Sequence, residues 1–202
     1  MLNFISVIIL SYLFGSIPWS LVIGKVFFHK DIRTEGSGNL GGTNAGRVLG
    51  KKVGITVIVL DALKAFFSML LASYIAKDAM IYAGLACCIG HCFPIFAQFK
   101  GGKAVATFAG MILAYQPLLL LYGLIIFLVL LAITRMVSLT AMVTISLGVL
   151  LSLLFNDWVL TAFTLAIDIF IIYRHRANIQ RILNGTENKV PMPWDKINKD
   201  TK

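Results

Sequence analysis

Residues 36–47, GSGNLGGTNAGR, gather side chains suited to holding an anion. Five of the twelve are glycine: Gly36, Gly38, Gly41, Gly42 and Gly46. Such density lets backbone N–H groups converge on one point without Cβ obstruction, which is how a loop cradles a phosphate. Ser37, Asn39, Thr43 and Asn44 add neutral hydrogen-bonding groups, and Arg47 can grip an oxyanion bidentately. A flexible linker needs no such asparagines and no closing arginine. A Walker loop is excluded, because no GK[ST] follows and no strand precedes.

Two further stretches carry related chemistry. Residues 90–107, GHCFPIFAQFKGGKAVAT, contain a GGK turn (Gly101, Gly102, Lys103) close to an expected helix start, again an anion site. Alone, KGGK serves equally well as a positively charged membrane anchor. Residues 174–187, RHRANIQRILNGTE, place His175 and Asn178 on one helical face, with Arg174 and Arg181 flanking. Alone, a basic helix of this kind contacts lipid headgroups. His91 and His175 lie within these stretches, and position alone makes neither a base.

The elements that must position these groups are membrane helices. Of 202 residues, 58% are hydrophobic and 13% charged, against about 25% charged in a soluble domain. Apolar runs recur along the chain at about 20 residues each, the length that spans a bilayer. We expect an all-α, polytopic integral membrane protein forming a single domain over 1–202. The net charge of +9 lies in the loops, where excess Lys and Arg set orientation; nucleic acid is not a partner on this reading. Cys87, Cys88 and Cys92 fit neither zinc nor redox spacing and read as small packing residues. The first apolar run lacks the basic start and cleavage site of a signal peptide and reads as an anchor.

Seven spans are expected: 2–24, kinked at Gly15 and Pro18, then 53–76, 79–99, 104–115, 117–134, 136–155 and 158–173. The 31-residue run 104–134 would measure about 46 Å as one helix, too long for a core of about 30 Å, so Gln116-Pro117 divides it. With seven spans, the loop 25–52, the turn 100–103, Arg135 and the polar tail 174–202 share one side and hold 16 of the 18 Lys and Arg. That side is expected to be cytoplasmic, with the N-terminus out and the C-terminus in. All three anion-suited stretches then meet at the cytoplasmic face, which suits one or two phosphates.

These stretches resemble the three motifs of the bacterial acyl-phosphate:glycerol-3-phosphate acyltransferases, the PlsY family. Its members carry GSGN-x-G-[AT]-TN…R, then GH-x-x-P-x-F…FKGGKGVAT, then RH-x-x-NI-x-R…G-x-E, and the likeness covers nearly the whole chain. The pair Asp61-x-x-Lys64 is also similar to the family; read alone, it is an intramembrane ion pair one turn apart. One position departs, with Ala104 where the family has glycine. Ala104 strains the turn if the backbone there has positive φ, and improves it if the residue merely starts a helix.

The resemblance implies a seven-span enzyme of the bacterial cell membrane with its active site facing the cytoplasm. It implies transfer of a fatty acyl group from acyl phosphate to the 1-hydroxyl of sn-glycerol 3-phosphate. The products are lysophosphatidic acid and phosphate, the first step of phospholipid synthesis. Implied partners are glycerol 3-phosphate, long-chain acyl phosphate, membrane lipid and the soluble enzyme that makes the acyl phosphate. By motif position, Ser37, Arg47, Lys103, His175 and Asn178 are the expected catalytic groups. Gly36, Gly38, Asn39, Gly41, Thr43, Asn44, His91, Gly101, Gly102, Arg174 and Glu187 are expected to bind substrate or shape its site, with Glu187 bracing the third motif. The attacking hydroxyl passes its proton to a substrate phosphate or to a histidine. With no HxxxxD at any histidine and no carboxylate cluster in the motifs, neither coenzyme A nor a metal or other cofactor is expected. A transporter for a phosphorylated metabolite would place its polar groups near the bilayer midplane, often in repeated halves; no repeat is visible. A lipid-binding scaffold would explain the tail but not the glycine loops.

Overall fold

The computed structural model describes residues 1–191, all of them in helices, turns or loops without strand. Helix α1 (Leu2–Gly15) is separated from α2 (Trp19–Phe28) by a 41° bend at Pro18, which supplies no N–H to continue the helix. The expected loop start at Lys25 is corrected: α2 runs one further turn and ends at His29 in the left-handed conformation, φ 53°. Val26, Phe27 and Phe28 are exposed apolar residues that extend its lipid-suited surface.

The described residues form two compact units that follow the chain, 1–117 and from Leu118 onward. In the first, α4 (Lys51–Ile75) is central and packs against α1, against α3 (Gly42–Val48), against α5 (Met80–Cys92) and against α6 (Val105–Tyr115). Small residues let these backbones approach, as apolar helices in lipid require. A Cβ at Gly54 of α4 would overlap Gly42 and Gly46 of α3; one at Gly110 of α6 would overlap Ala62 of α4; one at Gly90 of α5 would overlap Tyr12 of α1. Cys87, Cys88 and Cys92 are fully buried free thiols in the same packing. A cluster of Leu21, Ile32, Leu40, Ala45, Leu49 and Val57 lies beneath the glycine-rich stretch and fixes both its ends.

The second unit holds nearly all of α7 (Pro117–Thr134), α8 (Val137–Ser152), α9 (Trp158–Arg174) and α10 (Arg176–Leu183). Helix α7 begins at the proline expected to divide the long apolar run, and Leu119 is its one buried residue. Helices α8 and α9 are joined by polar contacts, Ser146 Oγ donating to both Asp168 oxygens at 3.1 Å and Ser152 Oγ to Thr161 Oγ1 at 3.0 Å. Asp157 caps α9 by accepting the Leu160 N–H at 2.9 Å. Among the described residues four helices are long and apolar enough to cross a membrane, six if each bent pair makes one span. The 11-residue α6 is shorter than a usual crossing. The end of the expected polar tail, 192–202, lies outside the described residues.

Candidate functional site

The first unit builds the glycine-rich stretch as a braced loop running into a short helix. An ion pair leads into it: the Arg33 guanidinium meets Asp31 Oδ2 at 2.6 Å, and Lys25 approaches the same oxygen at 3.5 Å. The Arg33 hydrogen bond holds the Asp31 carboxyl well below the usual carboxylate range. Gly36 and Gly38 take left-handed φ of 59° and 68°, and a Cβ at Gly36 would also overlap Asn44 Oδ1. Buried Asn44 is the brace. It accepts the Ser37 N–H at 2.9 Å and donates to the carbonyls of Glu35 and Ile32 at 3.1 and 3.4 Å. Asn39 accepts the Gly41 N–H at 2.9 Å and donates to the Gly101 carbonyl at 3.2 Å. That bond ties the first motif to the second.

Both asparagine side chains therefore serve backbone groups, Asn44 those of its own loop and Asn39 those of the loop and of the Gly101 turn. Ser37, Thr43 and Arg47 are the exposed side chains of the stretch, beside the exposed Gly36. Thr43 and Arg47 stand one turn apart on α3, so they share a face.

In the second motif Gly101 and Gly102 are buried and packed on the end of α5. The Gly102 N–H bonds the His91 carbonyl at 3.0 Å. A Cβ at Gly102 would overlap the His91 ring, and one at Gly101 would overlap the backbone of His91 and Cys92. His91 is itself buried, with Nδ1 2.9 Å from Lys64 Nζ and 3.4 Å from Asp61 Oδ1. Lys103 is half-buried, between buried Gly102 and Ala104. Ala104, the N-cap of α6, has φ 61° and ψ 6°, the strained outcome of the two stated above. Left-handed backbone costs a non-glycine residue about 1–2 kcal/mol. Ala104→Gly is expected to raise the midpoint of thermal unfolding in detergent, with turnover unchanged; a lowered midpoint would contradict this account of the turn.

The third motif occupies the second unit. His175 lies at the 60° bend between α9 and α10, buried, its Nδ1 2.8 Å from the Ile171 carbonyl. A carbonyl only accepts, so Nδ1 carries a hydrogen there. Arg174 is half-buried at the end of α9. Glu187 draws the motif together: Oε1 accepts from Ser138 Oγ at 2.7 Å and Asn178 Nδ2 at 2.8 Å, and Oε2 from Arg181 Nε at 2.7 Å. Burial opposes the charge, but these three hydrogen bonds and the Arg181 charge outweigh it and hold the carboxyl below its ordinary value of 4.5.

Two groups escaped the reading of the sequence. Ser138, on α8, lies 49 residues from its partner Glu187 and carries no local signal. The partnership of His91 with Asp61 and Lys64 also crosses between helices; a buried ion pair that needs further hydrogen bonds was the available clue. Among the described residues no group of three or more His, Cys, Asp and Glu side chains could hold a metal ion.

A family model for glycerol-3-phosphate acyltransferases matches residues 5–185. A glycerol-3-phosphate acyltransferase of Listeria monocytogenes is 48% identical over 94% of this chain and 98% of its own. Glycerol-3-phosphate acyltransferase 2 of Bacillus anthracis is 50% identical over 91% and 97%. The crystal structure of PlsY, an integral membrane glycerol 3-phosphate acyltransferase, matches in two forms. Its glycerol 3-phosphate form has a TM-score of 0.88 and 36% identity, covering 93% of this chain and 96% of the other. Its lysophosphatidic acid form has a TM-score of 0.85 and 35% identity, covering 93% and 95%.

Proposed function

The chain belongs to the glycerol-3-phosphate acyltransferase family, as a multi-pass integral membrane acyltransferase of PlsY type, and on that premise we propose that acyl phosphate is its donor. Glycerol 3-phosphate is the acceptor and lysophosphatidic acid the product, the molecules named for the two forms of the PlsY crystal structure. The acceptor's 1-hydroxyl oxygen bonds to the acyl carbon, the acyl carbon–oxygen bond to phosphate breaks, and phosphate departs with the electron pair. In the net balance the hydroxyl proton ends on that phosphate. Phosphate is a good leaving group, so positioning and charge stabilisation supply most of the acceleration.

The observation that carries this reading is the Asn39–Gly101 hydrogen bond, 3.2 Å. It holds the exposed Ser37, Thr43 and Arg47 in register with the turn that bears Lys103. We assign phosphate binding to Ser37, Thr43, Arg47 and Lys103. Gly36, Gly38, Asn39, Gly41 and Asn44 hold the loop, and His91, Gly101 and Gly102 hold the turn. His175 and Asn178 orient glycerol 3-phosphate, supported by Arg174 and Glu187. The whole chain acts as one membrane-embedded domain, and neither coenzyme A nor a metal takes part. The soluble enzyme that makes acyl phosphate is a further partner.

Purified protein supplied with a single donor tests the reading. Acyl phosphate should support lysophosphatidic acid formation, while acyl-coenzyme A and acyl carrier protein should not. Efficient turnover with acyl-coenzyme A alone would sink the donor assignment.

The same reading places seven spans across the bacterial cell membrane, with α6 as the short one, the N-terminus outside and the motifs cytoplasmic. The 16-of-18 distribution of Lys and Arg supports it. Cysteine labels at Lys77, Gln116 and Asn156 should react from outside, and labels at Lys51, the exposed Lys100 and the C-terminus from the cytoplasm. An inaccessible Gln116 would remove a crossing.

A further inference from the structure

Besides the three cysteines, the first unit buries an aspartate, a lysine and a histidine on helices rather than in the exposed loop. Asp61, Lys64 and His91 are 2%, 1% and 7% exposed. A lysine and an aspartate inside a spanning helix are costly, so they are expected where a function needs them. The Lys64 ammonium meets Asp61 Oδ1 at 2.8 Å, His91 Nδ1 at 2.9 Å and the Ile17 carbonyl at 3.3 Å. An ammonium has three donors and no acceptor, so these contacts use all three, and Nδ1 of His91 accepts one. Asp61 Oδ1 lies 3.4 Å from the same nitrogen. The imidazole is thus clamped from one edge by the ion pair.

The same histidine meets the turn twice. Its carbonyl accepts the Gly102 N–H at 3.0 Å, and its ring presses on the Gly102 α carbon so closely that a Cβ would overlap Nε2, Cε1 and Cδ2. Lys64 bonding to Ile17 would staple α4 to the break between α1 and α2 without any of this. A staple does not need a histidine ring seated on Gly102, one residue past the Asn39-bonded Gly101 and next to Lys103. We infer that Asp61, Lys64 and His91 are positioning residues for the acyl transfer. The ion pair fixes the His91 ring, the ring and its carbonyl fix the Gly101-Gly102 turn, and the turn sets where Lys103 stands. This rests on the reading above that Lys103 meets a substrate phosphate.

A double-mutant cycle on the purified, full-length protein tests it. His91→Phe keeps a ring over Gly102 but loses Nδ1. The combined change Asp61→Asn with Lys64→Met removes both charges together and leaves neither orphaned. Each is assayed for kcat/KM with acyl phosphate, alone and combined with Lys103→Ala, beside thermal unfolding in detergent. Since a misplacement of about 1 Å costs on the order of 100-fold, each alone should lower kcat/KM by about tenfold or more. In the Lys103→Ala background each should cost less than about twofold, because the group being positioned is already gone. Losses that simply multiply would overturn the inference and leave the cluster a general stabiliser. Normal kcat/KM in the cluster variants, with Lys103→Ala impaired, would overturn it too. Normal kcat/KM in Lys103→Ala itself would overturn the phosphate role of Lys103 beneath it, and that single variant separates the two failures. If His91→Phe does not fold, the charge-pair variant and His91→Asn, which keeps a polar atom near the Nδ1 place, carry the same comparison.

Discussion

Lys103→Ala is expected to lower turnover of acyl phosphate by about 10- to 150-fold while the protein still inserts and purifies normally. A charge-assisted contact to phosphate is worth roughly 1.5–3 kcal/mol, and that factor follows if the contact is felt fully in the transition state. The turn around Lys103 is built to hold one geometry: Gly101 and Gly102 are buried against His91 and Ala104 is fully enclosed. Lys100, three residues earlier, is exposed. An exposed interfacial lysine contributes about 1 kcal/mol of membrane attraction and little catalysis, so Lys100→Ala should be much milder. Near-normal rates for Lys103→Ala at saturating substrate would move the phosphate site toward Arg47. Equal, small effects at both lysines would return KGGK to an orientation signal.

Glu187→Ala is expected to cost about 3 kcal/mol in folding, because it strips the acceptor from two buried donors, Ser138 and Asn178, at about 1–3 kcal/mol each. The third partner, the Arg181 side chain, is 37% exposed and can turn to water. Glu187→Gln should be milder, since the amide oxygen still accepts. The sign with pH follows from the carboxyl lying below its ordinary 4.5 in the folded protein. Its contribution is fully present above that value and is lost as pH falls through the lower folded value. Thermal unfolding of the wild-type protein should therefore shift down at acid pH more steeply than that of Glu187→Gln. Parallel pH profiles for the two would show that the carboxylate is not what holds Asn178 and Arg181 together.

Much of the helical layout was readable because it follows from local rules. Proline ended α6 at Tyr115 and opened α7 at Pro117, and apolar length alone marked α4 to within two residues and α8 to within three. Helix α3 was not readable. Its seven residues, GTNAGRV, have no apolar periodicity and hold their shape because Gly42 and Gly46 fit against Gly54 on α4. The same limit applied to the candidate site. Motif position put Asn39 and Asn44 either in substrate binding or in shaping the loop, and residue type does not tell whether an amide faces a ligand or a backbone group. Here both bond backbone groups. Motif order named Ser37, Thr43 and Arg47 as candidates, and the fold leaves their side chains exposed. The clamp on His91 lies 27 residues from Lys64 along the chain and needed the packing of α4 on α5 to become visible.

Phosphate release from acyl phosphate by the purified protein, measured with and without glycerol 3-phosphate, tests the central claim most directly. Release should depend on glycerol 3-phosphate and match lysophosphatidic acid one for one, with no added metal or coenzyme A. Release that ignores glycerol 3-phosphate, or lysophosphatidic acid formed without matching phosphate, would contradict acyl phosphate as the donor.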